Sequence, residues 1–254
     1  MKTQWLKAVA GLTLLSLSTL AWGFAIPQPE AEAVATKVAF IEINAAQGDP
    51  DAEFLLGLMY LSGRYVKQDV ATGLKWVEQA AKRDNIKAQQ TLADLYFDGK
   101  YVPRNLSTAE HWYQAMAKQG NKWANFRLGL IYADGGDGVK RNCGEALSQF
   151  KQAGDNAALG NMAWVMSTCP EAKYRNGEKA LKMALALVKS DSQNPSALDN
   201  LAAAYAETGN FAAAVYTQQK AIDALQQRPE PTTTVAEFKK RLSYYLQKRA
   251  YRED

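Results

Sequence analysis

The chain has 254 residues, 47% hydrophobic and 22% charged, with 30 Lys and Arg against 26 Asp and Glu. That is enough apolar chain for a sizeable core and excludes a disordered polymer. Two Cys and one His exclude a disulfide-dense mini-protein, a Cys-rich zinc cluster and most His-based catalysis, so neither metal nor cofactor is expected.

Residues 1–25 read as a secretory signal peptide. Lys2 and Lys7 make a basic start, Ala8 to Leu20 is an uncharged apolar run, and small residues allow cleavage after Gly23 or Ala25. The run is shorter than the roughly 20 residues that span a bilayer; an uncleaved anchor is the alternative reading. Removing the segment leaves 28 basic against 26 acidic residues, so the charge gives no argument for nucleic acid. No other apolar run approaches membrane length, and the mature chain is expected to be periplasmic or secreted, with no integral membrane segment.

Residues 26–49 read as a linker and an N-terminal cap helix, the helix covering 30–48 and closing on Ala45-Ala46 and Gly48. From residue 50 the chain matches itself at a shift of 36 residues. Ala52, Ala88 and Ala124 align, as do Gly57, Ala93 and Gly129, then Tyr60, Tyr96 and Tyr132, then Gly63, Gly99 and Gly135. The third copy carries one extra residue after Gly135, and Trp76 and Trp112 meet Gln149 there, with Phe150 beside it. Each period holds two helices. In helix A, Ala52, Leu56, Gly57 and Tyr60 share one face, small enough at two positions for a neighbour to approach closely. Gly63 and Gly99 end helix A in the left-handed conformation, and Asp69, Asn105 and Asn142 cap helix B.

Leu-Gly-x-x-Tyr, a following Gly, a Val-x-x-Asp loop and Trp before Ala-Ala resemble the Sel-1-like repeat, a relative of the tetratricopeptide repeat, over residues 50–157. Residues 158–228 continue as two tetratricopeptide-like pairs. Met162-Ala163-Trp164 and Ala180 to Val188 mark the first; Leu201-Ala202, Tyr205, Gly209, Phe211, Ala214 and Ala221 mark the second. Residues 229–254 form a C-terminal cap and tail, with a helix over 234–249 opened by a Thr234/Glu237 capping box. The resemblance implies an all-α, right-handed α-α superhelical solenoid of about five helix pairs with capping helices at both ends.

Cys143 starts helix B of the third pair and Cys169 follows helix A of the fourth, in neighbouring inter-helix loops. A bridge is favoured over two free thiols, since an exported chain folds where disulfides persist, and it would stabilise by about 3–4 kcal/mol. The two Cys do not follow the pattern of secreted relatives with a Cys pair in every repeat, so those relatives' penicillin-related activities are not carried over.

Stacked pairs line their concave face with A helices. Its non-core positions are Phe54 and Leu58 in the first pair, Lys87, Gln90, Asp94 and Asp98 in the second, and Trp123, Phe126, Leu130 and Asp134 in the third. Trp164 follows in the fourth, then Asp199 and Glu207 in the fifth. Aromatics among carboxylates suit capture of a peptide or helix; the alternative is that the aromatics fill a tight core. Lys239, Lys240, Arg241, Lys248, Arg249 and Arg252 read as the solvated outer face of the end helix.

The sequence offers little catalytic chemistry. Gly135-Gly136-Asp137-Gly138 reads as a widened turn, His111 has no ligand partners, and Ser148-Gln149-Phe150-Lys151 matches Ser-x-x-Lys without its companion elements. The reading is therefore an exported, non-enzymatic interaction module, a monomeric adaptor or scaffold for a protein or peptide partner. Envelope assembly or stress is the setting that the resemblance implies. The alternative is a cell-wall- or β-lactam-directed hydrolase, as reported for some secreted relatives; a self-associating structural role is a third option.

Overall fold

The computed structural model describes residues 30–227 and 232–253, so the signal-peptide reading and its cleavage sites lie outside the described residues. Those residues form twelve α-helices and one short 3-10 turn. A lone helix, α1 (Glu30–Ala46), precedes five helical pairs. They are α2 (Pro50–Ser62) with α3 (Val70–Lys82), α4 (Ile86–Asp98) with α5 (Leu106–Lys118), and α6 (Lys122–Asp134) with α7 (Cys143–Ala153). Then come α8 (Asn156–Thr168) with α9 (Gly177–Ser190), and α10 (Pro195–Glu207) with α11 (Phe211–Gln226). A last helix, α12 (Thr232–Leu246), packs on α11. Each helix packs on its chain neighbours, and α8 also packs on α10 and lightly on α6, so the A helices α6, α8 and α10 lie side by side. This is the expected all-α solenoid.

Every helix from α2 to α11 opens on an Asn or Asp whose side chain accepts a backbone N–H of the first turn. Asp69, Asn105 and Asn142 do so as expected. A second series, Asp49, Asn85 and Asn121, caps the A helices at the same spacing. Gly63 and Gly99 close their helices in the left-handed region, where a side chain would strain the backbone. After each glycine the loop is pinned back: Asp69, Asn105 and Asn142 donate their backbone N–H to the carbonyls of Tyr60, Tyr96 and Tyr132 at 3.0, 2.8 and 2.7 Å.

The A–B contact within a pair is very close. A methyl group on Gly57 would lie 2.5 Å from Val77 Cγ2, and one on Gly129 2.5 Å from the Phe150 ring. Val77, Tyr113 and Phe150 are fully buried at this position, one residue after the aligned Trp76, Trp112 and Gln149. The deep side chain of these three pairs is therefore the one following the position where the first two carry tryptophan. Trp76 is only half-buried and, like Ile41 and Tyr60, packs against the Ala45, Ala52 and Leu56 cluster beside the N-terminal cap.

Two expectations at the C-terminal end are corrected. The last helix spans Thr232–Leu246, not 234–249, so Thr234 is a helical residue rather than an N-cap; its side chain lies outside the described residues. Nor is the basic cluster simply a solvated face. Arg241 is buried against Phe238 and Trp164, with Nε 2.9 Å from Asp199 Oδ1. Apolar packing and a buried acid draw this cation inward, because closing the solenoid buries that side of α12.

Candidate functional site

The A-helix face divides into three parts. At the N-terminal part, Phe54 and Leu58 of α2 are half-buried and pack on the core running through α3 to α6. They serve packing as much as surface. In α4, Lys87 and Asp98 are exposed and Gln90 is half-buried. Asp94 is not a free carboxylate: it accepts the Tyr113 hydroxyl at 2.6 Å, and Arg127 Nη2 lies 3.8 Å away. Burial first, and that bond second, hold the Tyr113 phenol well above its ordinary pKa, so it stays a neutral donor.

The central part belongs to α6. Trp123 is 42% exposed and stacks on half-buried Phe126, with ring centroids 5.6 Å apart. Phe126 in turn reaches Phe150 at 5.9 Å, tying the surface pair to the core. The guanidinium of Arg127 lies 4.6 Å from the centroids of both Phe97 and Trp123, a cation held between two rings. Leu130 is half-buried against the next core cluster. Asp134 is exposed, with Arg141 and Arg104 as its basic neighbours. Sequence reasoning missed Phe97 and Arg127. A usable signal was present: Arg127 follows Trp123 by four residues, which puts both on one helix face.

The C-terminal part is already occupied. Trp164 of α8 donates its indole N–H to Glu253 at 2.7 Å, and the Tyr251 ring lies 6.1 Å from it. Arg252 bonds the Ser167 carbonyl at 3.1 Å and pairs with Glu207 of α10 at 2.5 Å. Glu207 also receives Arg175 at 3.0 Å. Asp199 is buried between Arg241 and the Gln218 amide, at 2.9 and 2.7 Å. Trp164, Asp199 and Glu207, expected as open groove positions, are thus covered by residues from 175 to 253. The last helix and tail fold back over them, a long-range event that a local repeat register does not register.

Other candidates separate from this face. Cys143 and Cys169 form a disulfide, with Cα atoms 6.4 Å apart, that links α7 to the end of α8. Ser148 and Lys151 are exposed on α7. The 135–138 segment is a turn closed by a single bridge between Gly136 and Val139. Between α5 and α6, Tyr132 donates its hydroxyl to Glu110 at 2.6 Å and accepts Gln114 Nε2 at 3.0 Å. Burial, then the Glu110 bond, push its phenol up to about 12. Among the described residues no cluster of His, Cys, Asp and Glu has the makings of a metal site, and no helix is long and apolar enough to cross a membrane.

The Sel1 repeat family profile matches residues 50–85, 86–121 and 124–156. No curated protein sequence matches the chain. Among solved structures, a Sel1 repeat protein from Oxalobacter formigenes aligns with a TM-score of 0.59 at 22% identity, covering 78% of this chain and 58% of that one. A protective antigen present in uropathogenic Escherichia coli strains, displaying an SLR fold, aligns with a TM-score of 0.47 at 24% identity, covering 87% of this chain and 50% of that one. The chain thus spans little more than half the length of these two proteins.

Proposed function

Since the chain carries three Sel1 repeats stacked in a helical solenoid, we propose that it is an exported, non-enzymatic adaptor that holds a protein or peptide segment along its A-helix face. Sel1 repeats are mainly protein-interaction scaffolds, which sets the general class. The observation that carries the reading here is the Trp123–Phe126 stack with Arg127 set against it. A large aromatic left substantially open beside a held guanidinium and exposed acids is the makeup of a binding anchor with a polar rim. The disulfide supports an oxidising compartment, the periplasm or the exterior. Envelope assembly or stress is the setting we assign, and the module works as a monomer.

The test is capture from envelope extract by the purified chain, wild type against Trp123→Ala/Phe126→Ala, with helicity and melting temperature measured for both. The double variant should stay helical and lose the specifically captured partner. A folded variant that captures the same partner with unchanged affinity would sink the assignment of this face.

A further inference from the structure

We infer that the α8–α10 end of the A-helix face is a recognition site for an extended segment bearing arginine beside an acid, and that residues Ala250–Glu253 of this chain are its resident occupant. The inference deepens the interaction reading above and rests on it for the biological partner, but its geometry stands by itself.

Helix α8 ends at Thr168 with no glycine after it, and its C-cap Cys169 is extended. Of the last four carbonyls, Val165 takes the Cys169 N–H at 3.0 Å and Met166 the Asn176 N–H at 2.9 Å, which leaves those of Ser167 and Thr168 without a donor in the helix. The tail supplies them. After α12 the chain leaves helical structure and crosses the end of α8: Glu253 donates its backbone N–H to the Thr168 carbonyl at 3.1 Å, and Arg252 Nη1 donates to the Ser167 carbonyl at 3.1 Å. The negative end of the α8 dipole and the Glu207 carboxylate both favour a cation here, and Arg252 and Arg175 converge on Glu207. On the other side, the Trp164 indole N–H selects an acceptor and takes the Glu253 carboxylate. Tyr251 fills the gap between Trp164 and Tyr244, 6.1 and 5.5 Å from them.

These are the contacts a groove makes with a peptide: one main-chain bond, one acid for an arginine, one donor for an acid and one aromatic slot. Ala250 and Tyr251 also pack against the cluster of Ala202, Ala206, Ala214 and Tyr245, whereas Arg252 and Glu253 are held through hydrogen bonds and an ion pair. The site also continues toward α6, since the Glu253 carboxyl, raised mainly by its burial, also feels Asp134 and Arg141.

The test uses a chain ending at Arg249 and a fluorophore-labelled synthetic peptide with the sequence of residues 246–253. Fluorescence anisotropy should show saturable binding to the shortened chain. The same peptide carrying Arg252→Ala should bind at least tenfold more weakly, and the full chain should bind either peptide at least tenfold more weakly than the shortened chain binds the native one. Full-length Arg252→Ala/Glu253→Ala serves as a second host: its tail should lose hydrogen-exchange protection and its site should accept the native peptide. If the shortened chain fails to fold, the tail is part of the wall and the inference is wrong. It is equally wrong if the folded chain ignores the peptide, or binds the Arg252→Ala peptide as well as the native one. Trp123→Ala/Phe126→Ala should leave peptide binding intact, so failure of the adaptor reading and failure of this site give different results.

Discussion

At Gly129 the A–B contact has no room for a methyl group, because the Phe150 ring occupies the space where Cβ would stand. The equivalent position in the second pair, Ala93, carries a methyl and is fully buried beside a different deep residue, Tyr113. Gly129→Ala should therefore destabilise by about 1–3 kcal/mol through overpacking. The obstruction comes from one side chain, so the cost should shrink in a Phe150→Leu background. Urea melts of the two single variants and the double variant give the coupling; strict additivity would show that the ring is not the obstacle. Tyr132 offers a second test. Its phenol rises from an ordinary value near 10 to about 12 in the folded chain. The folded state thus holds this proton more tightly than the unfolded state. The stabilisation is complete below pH 10 and is lost as pH rises through about 12. Between those values the wild type should lose stability more steeply with pH than Tyr132→Phe, measured by chemical denaturation; parallel profiles would rule out the raised phenol.

At the scale of the helix, local signals and distant ones part company. The helix-B caps Asp69, Asn105 and Asn142, the closing Gly63 and Gly99 and the small faces of the A helices are legible in the sequence, because each acts within a turn or two of its own position; the A-helix caps Asp49, Asn85 and Asn121 act just as locally but stand outside that reading. The deep residues of the first three pairs are not legible in this way, since the tryptophans are the conspicuous recurring residues while Val77, Tyr113 and Phe150 share only their burial. Trp164 and Asp199 were misread for a different reason. Their partners stand 89 and 42 residues away, at Glu253 and Arg241, beyond the reach of any repeat register. The Asp199–Arg241 pair fixes α12 to α10 and can be tested there. Both side chains are nearly fully buried, at 8% and 9% exposure. Burial pushes the Asp199 carboxyl upward while Arg241 and Gln218 hold it down. Arg241→Ala should then cost about 3–5 kcal/mol, because it strands a buried acid, whereas Asp199→Leu with Arg241→Met should cost much less. Equal losses for the two variants would mean that the pair's charge is irrelevant.

For the molecule as a whole, stability is spread over contacts between successive helices, and the disulfide is the covalent tie among them. It closes a separation of 26 residues between the third pair and the fourth. Replacing both Cys by Ala should cost about 3–4 kcal/mol, mostly by freeing the unfolded chain. Hydrogen exchange should quicken chiefly in α7, α8 and the loop to α9, and little in α1 to α3, because a solenoid passes strain mainly to adjacent units. Intact mass after alkylation, with and without reductant, establishes the bridge in the exported protein; two freely alkylated thiols in unreduced material would end this prediction.

The caps described for α2 to α11 carry a consequence for how such a chain can change in length. Each helix meets a first-turn donor with an Asn or Asp that lies immediately before it, so the acceptor travels with the helix it caps; Asn85 in addition bonds Pro50 and Asp51 of the unit before. A segment running from one A-helix cap to the next is therefore a self-contained cassette with matching joints at both ends. Tandem duplication or loss of such a cassette by unequal recombination leaves every surviving helix start intact and shifts only which faces meet. Growth in whole cassettes is thus the mutation the architecture absorbs most cheaply, whereas a gain or loss of a few residues inside a helix would rotate its apolar stripe out of line.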